Sequence, residues 1–178
     1  MKSPFKFLVL VLAAGFVAAP VLLAQREKLP AEDVEIVAKE FPNAKKTPTG
    51  LRYVILHEGQ GPSPKPGAKV AVTYVGRLLN GKVFNQMDDK ANPFIFRIRR
   101  GEVIEGWDQI LQLMKAGEKR LVIIPPEMAY GTRGRPPDIP RSATLVFEIE
   151  LLEIKPDRSE EHTSELQSHH DLVCRLLL

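Results

Sequence analysis

Along residues 51–154 the apolar positions repeat mostly every second residue, and over one short stretch every third or fourth. Residues 51–56 read as a strand, ended by the proline- and glycine-rich segment 59–67. In residues 69–78 the side chains of Val70, Val72, Tyr74 and Leu78 share one face of a second strand. Asn80-Gly81 marks a hairpin, because both residues tolerate positive φ, and residues 82–84 return antiparallel before a polar loop at 85–92. Residues 94–99 form the next strand, with Phe94, Phe96 and Ile98 inward and the arginines outward. The period then changes: Trp107, Ile110, Leu111 and Met114 mark one helix face, ending near Lys115-Ala116-Gly117 with glycine at the C-cap. Strands return at 118–124 and 144–154, the latter alternating Leu145, Phe147, Ile149 and Leu151 against Glu148 and Glu150. This predicts an α+β fold: a bent antiparallel β-sheet of about five strands wrapped around one short α-helix, which covers one side of it.

The irregular segment 125–142 is rich in proline, and a loop of that length in a compact domain is usually functional. Glu102, Glu105 and Asp108 cluster at the helix start, where the macrodipole favours negative charge. Trp107 lies just inside that start. It is either an ordinary core residue or the floor of a pocket between helix and sheet.

The chain has 178 residues, enough for one domain with extensions. A net charge of +3 with acids and bases interspersed argues against a nucleic-acid partner, which calls for a concentrated basic face. The one cysteine, Cys174, lies near the end, so no disulfide framework or thiol chemistry serves the domain. His57 is given no role. Asp88-Asp89 lacks matching ligand spacing for a metal, and Arg97, Arg99 and Arg100 read as a solvated face.

Residues 1–24 pair Lys2 and Lys6 with the apolar run 7–24, the pattern of a secretory signal cleaved after Ala24 or retained as an N-terminal anchor. The protein is accordingly expected in an exported location, the bacterial periplasm or a membrane facing it. Residues 25–49 form a polar linker with a short helical arm over 31–41, stopped by Pro42. The domain occupies 50–157. Residues 158–178 do not continue its pattern and resemble a translated adapter sequence, so Cys174, His162, His169 and His170 are assigned no function.

Several motifs in order, Val72-Thr73-Tyr74-Val75-Gly76-Arg77-Leu78 with Asn80-Gly81-Lys82-Val83-Phe84, Gly101-Glu102-Val103-Ile104-Glu105-Gly106-Trp107, Ile124-Pro125-Pro126-Glu127-Met128-Ala129-Tyr130-Gly131, and Ile139-Pro140 with the strand 143–152, resemble the FKBP-type peptidyl-prolyl cis-trans isomerases. The resemblance implies a pocket between sheet and helix that catalyses rotation of Xaa-Pro bonds without covalent chemistry, metal or cofactor. It assigns catalytic positions to Tyr74, Phe84, Asn85, Ile104, Trp107, Tyr130 and Phe147, and substrate-binding positions to Phe94, Val103 and Ile139. Trp107 is the implied floor, and the Ile104 N–H and the Tyr130 hydroxyl are the implied donors to substrate carbonyls. The chain departs from the family at Asn85, where an aspartate is usual, at Lys90, where an arginine is usual, and at Arg135, Pro137 and Asp138 in the long loop. Modest activity, weak macrolide binding, proline-containing polypeptide clients and a monomer are the resulting expectations. The alternative is a non-catalytic peptide-binding module or holdase using the same pocket.

Overall fold

The computed structural model describes residues 27–155. The expectations for 1–24 and 158–178 lie outside the described residues. Among those described, the elements are α1 (Ala31–Glu40), β1 (Lys45–Lys46), β2 (Arg52–His57), β3 (Lys69–Leu78), β4 (Val83–Met87), β5 (Phe94–Arg97), α2 (Glu105–Leu111), β6 (Lys119–Ile124) and β7 (Leu145–Lys155). The strands form one antiparallel sheet in the order β1-β2-β6-β7-β3-β4, with β5 also on β3. Seven strands stand where about five were expected; β1 is a two-residue pairing inside the segment read as linker.

Strand β3 organises the sheet. It pairs with β7 along its whole length, while its other edge is shared: residues 69–72 take β5 and residues 74–77 take β4. Register shifts at Ala71/Val72 and Gly76/Arg77 allow the strand to bend between these partners. The inward face carries Val70, Val72, Phe96, Val122, Ile124, Phe147, Ile149 and Leu151, which close on Trp107, Ile110, Leu111 and Met114 of the α2 segment. Gly106 makes that approach possible: a Cβ there would lie 2.6 Å from Ile124 Cγ2.

Helix α2 is shorter than its apolar period predicted. After Leu111 the chain tightens, with Leu113 N–H donating to the Ile110 carbonyl and Met114 N–H to that of Leu111, before Gly117 turns at φ +80°. Two buried side chains replace the missing helical bonds. The Glu118 carboxylate accepts the Lys115 N–H at 2.8 Å, and Arg120 donates to the Leu113 carbonyl at 2.6 Å and to Glu118 at 2.5 Å.

The 80–81 hairpin also differs from expectation. Only Gly81 has positive φ, at +83°; Gly81 N–H donates to the Leu78 carbonyl and Leu78 N–H to that of Lys82. This is a three-residue loop with glycine in the left-handed position; the shift at Gly76/Arg77 is a separate irregularity, with Phe84 the extra residue of β4 between Val83 and Asn85. Strand β4 then runs on to Met87, so Asn85 belongs to a strand rather than to the expected loop.

The arm helix α1 lies on the other face of the sheet. Leu29 and Val37 are buried against Ile123 and Val146, whose side chains alternate with the inward Val122 and Phe147. Burying each of the two is worth roughly 1.5–3 kcal/mol before ordering costs. The Thr144 hydroxyl donates to Asp33 at 2.5 Å, and Glu27 accepts from Lys46 and Arg52, both at 2.9 Å. Ile36, next to the buried Val37, is 41% exposed.

Candidate functional site

Where α2 meets the open side of the sheet, the aromatic residues leave a cavity of about 270 Å³. Trp107, 4% exposed, stands at its centre and is met edge-on by three rings: Tyr74 at 4.9 Å between centroids, Phe147 at 5.3 Å and Phe94 at 6.3 Å. Phe84 stands perpendicular to Phe147 at 5.6 Å and forms the outer wall. Such perpendicular contacts fix each ring by its neighbours and leave the cavity walls rigid. Gly76 is the gap that admits two of them, since a Cβ there would lie 2.6 Å from Phe147 Cε1 and 2.8 Å from Phe84 Cζ.

The segment 98–104 brings the helix start to the cavity. Arg99 takes a left-handed conformation, φ +61°, and its N–H donates to the Asp108 carboxylate at 2.7 Å. Asp108, read from sequence as a helix-start charge, is buried and ties this turn to α2. Val103 and Ile104 consequently line the cavity. The Ile104 N–H has no acceptor among the described residues, although its carbonyl accepts from Trp107 and Asp108.

The polar groups around the cavity are few. The Tyr74 and Tyr130 hydroxyls and the Asn85 amide line it without a hydrogen-bond partner among the described residues, and the indole N–H of Trp107 is buried without one. Burial raises the Tyr74 phenol above its ordinary pKa; neighbouring Tyr130 adds to the effect, and the Arg135 guanidinium partly offsets it. Unpaired buried donors are costly unless something accepts from them. The two hydroxyls and the Asn85 amide belong to residues that border a space an occupant can fill.

Of the residues singled out from sequence, Tyr74, Phe84, Asn85, Phe94, Val103, Ile104, Trp107, Tyr130 and Phe147 come together on this cavity. Ile139 does not line it. The short hairpin in which Arg135 and Ile139 exchange backbone hydrogen bonds, at 2.9 and 3.0 Å, carries Ile139 into the core, where it is 1% exposed. Glu102, assigned no site role, also lines the cavity, as does Arg135, one of the long-loop departures from the family. Their signal was adjacency, Glu102 to Val103-Ile104 and Arg135 to Ile139 across the long loop. Lys90 is turned away and donates to Glu150 on the outer face at 2.6 Å.

Among the described residues no group of three or more His, Cys, Asp or Glu is placed to hold a metal ion, and no helix is long and apolar enough to cross a membrane. A larger hollow of about 610 Å³ runs between α1 and residues 140–144, but it is walled by surface side chains and contains no aromatic ring.

Fold and cavity together define an α+β half-barrel that offers an apolar, aromatic-walled pocket with a few free donors. A sequence model of the family described as FKBP-type peptidyl-prolyl cis-trans isomerase matches residues 61–152. FK506-binding protein 4 of Dictyostelium discoideum is 47% identical over 122 residues, covering 67% of this chain and 33% of that protein. FK506-binding protein 1 of the same organism is 42% identical over 106 residues, 60% of this chain and 99% of its own length. The crystal structure of a peptidyl-prolyl cis-trans isomerase from Pseudomonas syringae superposes with a TM-score of 0.63 at 37% identity, covering 72% of this chain and 94% of that one. The chain belongs to the FKBP-type peptidyl-prolyl cis-trans isomerase family. It spans only about a third of the length of the first curated relatives that it matches.

Proposed function

We propose that the protein catalyses cis-trans rotation of Xaa-Pro bonds in polypeptide clients, using the Trp107 cavity. The observation that carries this reading is the pairing of an apolar, ring-walled space with free donors at its edge, the Ile104 N–H and the Tyr130 hydroxyl. Rotation about the amide must break its resonance, a barrier of about 18–20 kcal/mol. The planar ground state is charge-separated and well solvated by water, whereas the twisted transition state has lost conjugation. A water-poor pocket therefore destabilises the planar form more than the twisted one, and a donor to the flanking backbone holds the segment while the bond turns. In this scheme Trp107 is the floor for the proline ring, with Tyr74, Phe84 and Phe147 as the catalytic walls and Phe94 and Val103 completing substrate contact. The position of Ile139 supports a role beneath the loop rather than against substrate.

Asn85 supplies a neutral amide at the rim. It hydrogen-bonds in both senses but adds no field to the twisted amide, which supports a modest rate. The departures at Asn85 and at Arg135, Pro137 and Asp138 also support weak macrolide binding. We further infer a monomer, and export directed by residues 1–24, supported by their basic and then apolar sequence. N-terminal sequencing of exported protein would show a start at Gln25 if the segment is cleaved.

Magnetisation exchange by NMR on a short Ala-Leu-Pro peptide tests the activity. Added protein should accelerate cis-trans exchange, and Asn85→Asp should accelerate it further. Binding with no change in exchange rate would overturn the enzyme reading and leave a peptide-binding module.

A further inference from the structure

We propose that Arg135 makes this pocket select proline segments that carry a carboxylate side chain on a residue directly flanking the proline. The inference rests on the isomerase reading and names the substrate class for that site. Two charged side chains line the otherwise apolar cavity, Glu102 and Arg135. They are not equivalent. Glu102 is engaged by its own chain, its carboxylate accepting the Arg97 N–H at 3.1 Å at the end of β5. No carboxylate lies within ion-pairing distance of Arg135 among the described residues.

The base of the Arg135 side chain is fixed, because its backbone N–H and carbonyl both bond to Ile139. Its charge is felt inside the cavity, since it opposes the upward shift that burial imposes on the Tyr74 phenol. Asn85, which also lines the cavity, contributes no negative charge to balance it. Lys90 pairs with Glu150 on the outer face and takes no part. The pocket edge is thus a planar, permanently charged fork beside the place where a peptide must enter, with no internal anion to occupy it. A guanidinium in that state favours a carboxylate through paired N–H···O bonds. Because the residue is exposed, the gain should be that of a surface ion pair, a preference of about two- to five-fold that shrinks with salt.

The test uses the full chain and two isosteric peptide pairs, Ala-Glu-Pro-Phe against Ala-Gln-Pro-Phe and Ala-Leu-Pro-Glu against Ala-Leu-Pro-Gln, followed by NMR exchange. At low ionic strength the acidic member of at least one pair should show the higher kcat/KM, and added salt should reduce the ratio. Arg135→Gln should bring that ratio to about one, Arg135→Lys should restore part of it, and Arg135→Glu should invert it. Equal rates within both pairs in the unmodified protein would overturn the selectivity while leaving the isomerase reading intact. A carboxylate preference that survives Arg135→Gln would overturn the assignment to Arg135. If none of the four peptides is turned over, the isomerase reading fails and this inference falls with it.

Discussion

Gly76→Ala tests whether the walls of the cavity are as tightly fitted as the geometry indicates. Gly76 lies on β3 opposite Phe147 of β7 and Asn85 of β4. The added methyl would sit 2.6 Å from Phe147 Cε1 and 2.8 Å from Phe84 Cζ. Against a carbon–carbon contact of about 3.5 Å, these are overlaps of about 0.9 and 0.7 Å. Phe147 cannot retreat, since it is 4% exposed and wedged against Trp107 at 5.3 Å. Phe84 is half-buried at the cavity edge and is the ring that must move. Overpacking costs about 1–3 kcal/mol, and relieving glycine's backbone freedom in a strand returns about 0.5–1, leaving a net loss near 1 kcal/mol. Peptide binding should suffer more, because the displaced ring is a cavity wall. Equilibrium urea unfolding gives the first quantity from the shift in midpoint at constant slope. Titration followed by the fluorescence of Trp107, the chain's single tryptophan, gives the second. Phe84→Leu in the Gly76→Ala background should recover part of the stability loss, a coupling that only direct contact produces. Unchanged stability and affinity, with no coupling, would refute the reasoning.

Trp107→Ala should cost about 3–5 kcal/mol of stability and abolish peptide binding, since it removes the floor and the partner of three surrounding rings; unfolding curves and NMR titration measure both, and retained binding would contradict the pocket assignment. The Glu27 carboxylate is held at a pKa of about 2 against a reference of 4.5; burial opposes the shift, and hydrogen bonds from Lys46, the Leu29 N–H and Arg52 together overcome it. Its folded-state pKa is depressed, so its contribution to arm docking is complete above about 4.5 and is lost as pH falls toward 2. Glu27→Gln should therefore lower the melting temperature slightly at neutral pH and flatten its fall over that acid window; an identical acid limb in both proteins would exclude the cluster as its source. The effect is small because Glu27 is about one-third exposed.

The strands were legible because a two-residue period of large apolar side chains marks their inward face, and it survives whatever happens at their ends. Val70, Val72 and Tyr74 needed only alternation. The helix was legible in kind but not in length. Its apolar period continues through Met114, yet whether residues 112–116 stay helical depends on Glu118 and Arg120 folding back from the next strand to satisfy the chain at Lys115 and Leu113. No window centred on the helix contains that information. The arm was legible as a short helix, but which of its apolar residues are buried followed from the back of β6 and β7, so Val37 is covered while Ile36 is 41% exposed.

The aromatic part of the site was legible through the motifs, while its polar edge was not, and the reason lies in β4. The loop at 80–81 uses three residues with only Gly81 in the left-handed region, and β4, past the shift between Val83 and Asn85, stays paired with β3 as far as Met87. Asn85 is thereby carried to the cavity rim, while Lys90, beyond the strand end, reaches Glu150 on the outer face. Lys90, where the family usually has an arginine, thus does not face the same space as Asn85. The strand separates them. With the lysine outside and a neutral amide inside, the long loop supplies the cation at the mouth, through Arg135. That residue reaches the edge because the turn from Arg135 to Ile139 closes on itself, sending Ile139 into the core and leaving Arg135 at the opening. The charge of the rim is thus set by two backbone features, a strand's length and a hairpin's closure, and side-chain identity decides only which sign each delivers.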